Sequence, residues 1–188
     1  CIDKSDSVGV LDSYFPEADF FTEFEVFDRH IHKLKRDGIS IDYVSVCTPN
    51  YLHDSHIRYG LRIGANVICE KPMVIKYHNL EALKQIESET GKNVFSILQL
   101  RLNPALNELN ITQNHYIEIK YHTPRGRWYH YSWKGDKNKS GGLIYNIGIH
   151  LFDLLIFLFG EAKLFRIIEE TENRVKGIIE LELGFCRF

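Results

Sequence analysis

The stretch from Asp42 to Pro72 limits what this chain can fold into more than any other. Tyr43 to Cys47 is an apolar, β-branched run of the length that a buried parallel strand needs. Thr48-Pro49-Asn50 ends it, because proline fixes φ and has no N–H to continue a ladder. From His53 to Ile63, apolar residues recur at Ile57, Leu61 and Ile63 in a helical pattern closed by Gly64. Asn66 to Cys69 is a second short apolar run, closed by Glu70-Lys71-Pro72. Two strands joined by one helix make a βαβ unit, almost always right-handed. Both loops then open at the carboxyl edge of the sheet, where open α/β folds place their ligands. Thr48, Pro49, Asn50, Glu70 and Lys71 are expected around that crevice. A lysine directly after a buried strand is held rigidly and partly desolvated, which suits a proton donor, a base or an oxyanion stabiliser. The bland alternative is a surface lysine at a strand end.

The surrounding residues extend the α/β pattern. Phe20 to Glu25 reads as a short strand running into a helix over Val26 to Lys35, with Phe27, Ile31 and Leu34 at core spacing. His30 and His32, beside Lys33, Lys35 and Arg36, fit a solvated helix face better than a metal or phosphate site. Tyr77 to Thr90 is an amphipathic helix through Leu80, Leu83 and Ile86, stopped at Gly91, and Asn93 to Leu98 is the next strand. Residues 1–98 therefore read as part of a doubly wound parallel sheet. Only Gly9 precedes Gly38, so the G-x-G-x-x-G turn that seats a pyrophosphate on a helix N-terminus is not in this sequence.

From Gln99 the pattern changes. Arg101 to Leu109 looks helical around Pro104, and His115 to His122 alternates as a strand. Gly177 to Phe188 alternates in the same way through Ile179, Leu181, Leu183 and Phe185. Two such strands cannot make an independently stable sheet, so further strands are expected after Phe188. Arg125, Arg127, Lys134, Lys137 and Lys139 stand against Asp136 alone, interleaved with Trp128, Tyr129, Tyr131 and Trp133. Cations for phosphates and flat rings for stacking suit an anionic ring-bearing ligand, either a nucleotide-sugar or single-stranded nucleic acid. A solvated hairpin whose aromatics cover the second half is the competing reading. Gly142 to Phe159 is a strong helix candidate with Ile147, Leu151, Leu154, Leu155 and Leu158 on its buried side. Asn146, His150 and Asp153 fall at i, i+4 and i+7 and share a face, either satisfied internally or lining a cleft.

Bulk properties narrow the classes. A net charge of -2 over 188 residues gives no general attraction to nucleic acid, so that partner is disfavoured. Cys1, Cys47, Cys69 and Cys186 form no CxxC pattern or disulfide framework, and no metal site is expected. Cys47 and Cys69, in apolar runs, fit buried free thiols in a reducing cytoplasm. The longest apolar run, Leu151 to Phe159, is too short for a membrane span and is interrupted by Asp153.

Thr48-Pro49-Asn50-Tyr51-Leu52-His53 followed by Glu70-Lys71-Pro72 resembles the glucose–fructose oxidoreductase / inositol dehydrogenase / MocA family of NAD(P)-dependent dehydrogenases. Gly141-Gly142, then Asn146, Gly148, His150 and Asp153, are similar to that family's Gly-Gly…Asp-x-Gly-x-His-x-x-Asp signature, with Asn146 where most members carry Asp. Within the family the likeness leans to the branch that oxidises C3 of UDP-N-acetylglucosaminuronic acid in surface lipopolysaccharide biosynthesis. That branch also has Asn at this position and a Gly-x-Trp-Tyr…Ser-Trp-Lys-Gly-Asp segment like Gly126 to Asp136.

The resemblance implies an incomplete Rossmann-type domain over 1–98, lacking its first βα unit. Over 99–188 it implies part of an α+β substrate-binding and oligomerisation domain with a mostly antiparallel sheet. Cys1-Ile2-Asp3 becomes the tail of the second strand, with Asp3 on the adenosine ribose of NAD. Thr48, Pro49, Asn50, His53, Glu70 and Lys71 border the cofactor. His150 takes the hydroxyl proton and Lys71 stabilises the alkoxide, roles that are interchangeable, while Asn146 orients the substrate. Arg101, Arg125, Arg127, Trp133 and Lys134, with Asn146 and His150, contact a nucleotide-sugar. A homo-oligomer through the second-domain sheet is implied. The rivals are a dehydrogenase of another sugar or polyol and a shortened, non-catalytic binding relative.

Overall fold

The computed structural model describes residues 1–5 and 13–188, so Gly9 lies outside the described residues. Its residues group into two units, Cys1–Asp42 and Tyr43–Phe188. In the first unit, Ile2 and Phe21 form an isolated parallel bridge where strand was expected. Helix α1 (Phe24–Arg36) starts two residues before the expected Val26, with Glu25 in its first turn and Lys33, Lys35 and Arg36 in its last. That polarity complements the helix dipole. Ile31 is its buried residue, and Phe21 meets Phe27 edge-on at 5.8 Å. His32 faces Asp28 and His30 faces Asp19.

The second unit opens with the βαβ stretch. Strands β1 (Tyr43–Val46), β2 (Asn66–Cys69) and β3 (Val94–Ser96) pair in parallel in that order. A 3₁₀ turn (Asn50–Leu52) leads into α2 (His53–Arg62), and α3 (Tyr77–Thr90) follows β2. Val46, Val67 and Cys69 from the sheet pack with Ile57, Leu61, Leu83 and Ile86 from the two helices. Each such side chain, fully buried, contributes about 1.5–3 kcal/mol. The burial of β1 corrects the sequence expectation. Tyr43 is 59% exposed and Cys47 is also exposed, because β1 is an edge strand and α2 and α3 cover the face bearing Val44 and Val46. Cys69, on the covered face, is buried, and desolvation pushes its thiol up to about 12, with Cys47 and Glu70 adding to the effect.

Helix α2 approaches the sheet closely at Gly60. A Cβ there would lie 2.6 Å from Val67 Cγ2 and 3.3 Å from Val44 Cβ, both on rigid strand positions. Gly60→Ala is expected to destabilise the chain by about 1–2 kcal/mol, overpacking outweighing the gain in helix propensity. Urea unfolding with an unchanged or raised midpoint would refute this.

Beyond β3, the helix expected around Pro104 is two 3₁₀ turns, Gln99–Leu102 and Pro104–Glu108. Asn103 breaks between them, its side chain accepting from Ala105 N at 3.1 Å. Two strands were expected in this half, whereas four are present: β4 (His115–Glu118), β5 (Ala162–Glu170), β6 (Val175–Leu181) and β7 (Gly184–Arg187). Their order is β4-β7-β6-β5, with only the β4–β7 pair parallel. The stretch from Gly177 to Phe188 is folded into a hairpin at Glu182-Leu183, and a Cβ at Gly184 would lie 2.8 Å from Ile117 Cδ1. The basic aromatic stretch is not a hairpin but two short helices, α4 (Trp128–Tyr131) and α5 (Lys137–Ser140).

Gly141 and Gly142, at φ 82° and 73°, end α5 and start the next helical run. A π-helical turn (Ile144–Gly148) precedes α6 (Ile149–Phe159). The run Lys137–Phe159 is long and apolar enough to cross a membrane by length and composition alone, which the shorter sequence window did not capture. Phe152, Leu155 and Phe159 of α6 nevertheless pack on Ile179, Leu181 and Cys186 of the sheet.

Candidate active site

The loops after β1 and β2 meet the start of the α6 helical run at one place. Lys71 Nζ donates to the Asn146 carbonyl oxygen at 2.6 Å, and the Lys71 backbone N–H donates to Glu70 Oε2 at 3.3 Å. Partial burial pulls the Lys71 ammonium below its usual range; Glu70 opposes this, and Lys134 and Arg125 reinforce it. His150 is lowered in the same way, by burial first and then by Lys71, against Glu70 and Asp153. Its Nδ1 is buried without a hydrogen-bond partner among the described residues. A desolvated lysine and a near-neutral histidine, electrostatically coupled at the end of parallel strands, form a proton-handling pair.

The neighbouring residues tie this place together. Thr48 Oγ1 pairs with His56 Nδ1 at 3.0 Å. Asn50 Nδ2 donates to the Ser140 carbonyl at 2.8 Å, linking the first loop to the turn before Gly141-Gly142. His53 spends both ring nitrogens on backbone carbonyls, those of Pro72 and Thr48. Asn50 and His53 are buried, and these bonds to backbone carbonyls tie the two loops and the turn before Gly141 together. Pro49 and Glu70 stay half-buried at the strand ends.

The expected substrate residues divide. Arg101 Nε donates to Asp153 Oδ2 at 2.7 Å and its Nη2 to Asp153 Oδ1, while its guanidinium covers the Phe157 ring at 5.2 Å. The carboxylate of α6 is nearly buried and is met by both guanidinium donors of this arginine. Asp153 therefore belongs to that pair, and Asn146 offers Lys71 its carbonyl rather than its side chain. Lys137 pairs with Glu170 and Lys139 approaches Asp136. Arg125, Arg127 and Lys134 have no acidic partner among the described residues. Arg125 stacks over Tyr129 at 4.6 Å, and Lys134 lies 5.6 Å and 5.7 Å over the Trp128 and Trp133 rings. Arg127 is exposed at the start of α4. In the first unit, the Asp3 carboxylate accepts from Ser5 N at 2.9 Å.

A cavity of about 500 Å³ lies on another face of the same helical run, lined by Ile144, Ile147, Gly148 and Leu151 with Arg125 and Tyr129. Neither Lys71 nor His150 lines it. Among the described residues, no group of three His, Cys, Asp or Glu side chains is placed to hold a metal ion.

Residues 2–97 match the profile of an oxidoreductase family described as an NAD-binding Rossmann fold, and residues 106–166 match that family's C-terminal alpha/beta domain. The chain belongs to the glucose–fructose oxidoreductase / inositol dehydrogenase / MocA family. Among solved structures, the WlbA (WbpB) dehydrogenase of Thermus thermophilus superposes with a TM-score of 0.88 at 42% identity, over 99% of this chain and 62% of that one. It was solved in complex with NAD and alpha-ketoglutarate, and with NAD and UDP-GlcNAcA. The scyllo-inositol 2-dehydrogenase (NADP(+)) of Bacillus subtilis is 26% identical over 79% of this chain and 41% of its own length. The 2,7-anhydro-N-acetylneuraminate hydratase of Escherichia coli is 30% identical over 73% of this chain and 37% of its own. The chain thus spans about two fifths of these curated relatives. Within the family fold, this part fits an NAD-binding domain. The carboxyl ends of β1 and β2 carry Thr48, Pro49, Glu70 and Lys71, and the orphaned ring nitrogen of His150 awaits a polar neighbour.

The sequence did not reveal the π-helical turn, the Asn50–Ser140 link or the Arg101–Asp153 pair. The paired glycines before the turn were the only signal for the first of these, and nothing local marks the other two.

Proposed function

We propose that this chain carries the hydroxyl-handling part of an NAD-dependent dehydrogenase for a nucleotide-sugar, with C3 of UDP-N-acetylglucosaminuronic acid as the reacting position. The observation that carries this is the coupling of Lys71 and His150, with Arg125 and Lys134 close enough to perturb the lysine. The likeness to the Thermus thermophilus protein over 99% of the chain supports the substrate class. NAD, when bound, supplies the hydride acceptor. His150 removes the hydroxyl proton, and its depressed affinity for protons keeps it in the base form near neutrality. Lys71, held by the Asn146 carbonyl, donates to the same oxygen as charge develops. Asn146, which cannot ionise, orients the sugar. Arg125, Arg127 and Lys134 meet the diphosphate and carboxylate, and Trp133 offers a ring face beside them.

In this reading 1–98 is the dinucleotide side and 99–188 the substrate side, with Asp3 on the adenosine ribose. Leu164 and Ile168 of β5, each at least 45% exposed, support a homo-oligomer through that sheet. Cytoplasmic surface-polysaccharide biosynthesis is the setting that a nucleotide-sugar substrate favours. A dehydrogenase of a free sugar or polyol is the second reading, supported by the inositol dehydrogenase relative.

The test incubates the full-length protein with NAD and UDP-N-acetylglucosaminuronic acid, with and without 2-oxoglutarate, and weighs the sugar-nucleotide product. A product lighter by one hydrogen pair is expected. Faster turnover of inositol or glucose than of the nucleotide-sugar would favour the second reading.

A further inference from the structure

Lys71 donates to a backbone carbonyl inside a helical run, where carbonyls are ordinarily taken by the helix itself. The π-helical turn Ile144–Gly148 accounts for the free carbonyl. The Ile149 N–H donates to the Ile144 carbonyl, five residues back. Gly148 is the N-cap of α6, so its carbonyl accepts the first α-helical bond, from the N–H of Phe152. Between these two bonds lie the carbonyls of Tyr145, Asn146 and Ile147, but only the N–H groups of His150 and Leu151. One carbonyl is left over, and Lys71 Nζ meets that of Asn146 at 2.6 Å.

The change from a five-residue to a four-residue step falls at Gly148. Its φ of -57° and ψ of -36° are ordinary helical values, so what this position requires is space. A Cβ on Gly148 would lie 2.7 Å from Phe152 Cε2 and 3.0 Å from Phe152 Cζ. That ring is held in place, edge-on against Phe165 at 5.3 Å and Phe188 at 5.0 Å. A side chain at position 148 would therefore displace the backbone of the turn, which carries Asn146 two residues earlier.

We propose that Gly148 is a positioning residue for Lys71, acting through the π turn whose spare carbonyl, that of Asn146, orients the ammonium. A lysine ammonium has three N–H groups and accepts nothing. Fixing one of them on a carbonyl leaves two for the reacting oxygen. The same bond favours the charged form, against the burial that disfavours it.

The effect on turnover rests on the dehydrogenase reading; the contact itself does not. The test compares the full-length wild type with Gly148→Ala. Acetylation of Lys71 by acetic anhydride at about pH 8, read by peptide mass, follows the free amine without any turnover. Loss of the carbonyl should raise that rate about tenfold, the scale of one hydrogen bond to a charged group. In the same variant kcat should fall about 10²-fold, with the KM for NAD within about threefold of wild type. The alkaline limb of kcat/KM should move to lower pH. Adding Phe152→Leu removes the ring atoms that the new Cβ meets, and should return both rates toward those of Phe152→Leu alone. An unchanged labelling rate overturns the contact, and an unchanged kcat overturns the positioning role. A double variant no better than Gly148→Ala overturns the route through Phe152 and the turn. If Gly148→Ala does not fold, the crystal structure of the full-length wild type decides. A π turn with Lys71 on the Asn146 carbonyl sustains the proposal, and an unbroken four-residue ladder through residues 144–150 overturns it. An inactive wild type that still shows the labelling difference would leave the placing of Lys71 standing and count against the dehydrogenase reading alone.

Discussion

Replacing Lys71 by alanine is expected to lower turnover by about 10³-fold while leaving NAD affinity within about threefold of wild type. The ammonium is the donor placed to meet developing negative charge, and a methyl group cannot replace it. Its backbone contact to Glu70 survives the substitution, so the loop that borders the cofactor keeps its anchor. The pH profile of the intact enzyme provides an independent check. Burial, Lys134 and Arg125 favour the neutral amine, so the alkaline limb of kcat/KM should fall below the ordinary lysine value of about 10.4. Lys134→Ala removes one like charge and should move that limb upward. The acid limb, set by His150, should lie below about 6.5, because burial and Lys71 disfavour the imidazolium. Near wild-type turnover in the Lys71→Ala protein would remove Lys71 from the chemistry.

Replacing Arg101 by alanine is expected to cost about 3 kcal/mol of stability, since it leaves a carboxylate uncompensated in a nearly buried place. Asp153 is 8% exposed and receives both of its guanidinium bonds from Arg101. The arginine is itself partly exposed, which tempers the loss, and its contact with Phe157 adds to it. Arg101→Ala combined with Asp153→Asn should recover a large part of the stability, because the stranded charge is then gone. Urea unfolding of the two single variants and the double variant measures this. A stable Arg101→Ala protein with a raised KM for the nucleotide-sugar would instead return Arg101 to the substrate.

The βαβ stretch shows how far local pattern reaches. The runs at Tyr43 and Asn66, the helix between them and the closing glycines became β1, α2 and β2 within a residue or two. Hydrophobic period and helix stops are properties of neighbouring residues, so they survive without knowledge of the fold. The same logic failed where the answer depended on a distant partner. The strand β5 escaped notice because its exposed apolar residues, Leu164 and Ile168, break the alternation of a half-buried strand, and its pairing is decided by β6. The run after Gly177 was read as one strand because alternation continues through the two-residue turn, whose strands β6 and β7 pair with each other and β7 with β4.

The sequence by itself determined the parallel βαβ core, the placing of Lys71 at a strand end and the family, since each follows from short-range pattern or from motif order. Tertiary structure alone decided what each polar side chain does. Asn50 and Ser140 are ninety residues apart, and Lys71 and Asn146 are seventy-five apart. A buried polar group takes whichever partner the packing brings within reach, because leaving it unpaired costs more than any local preference. That is why Arg101 went to Asp153, His53 to two carbonyls and Lys71 to the helix that carries His150.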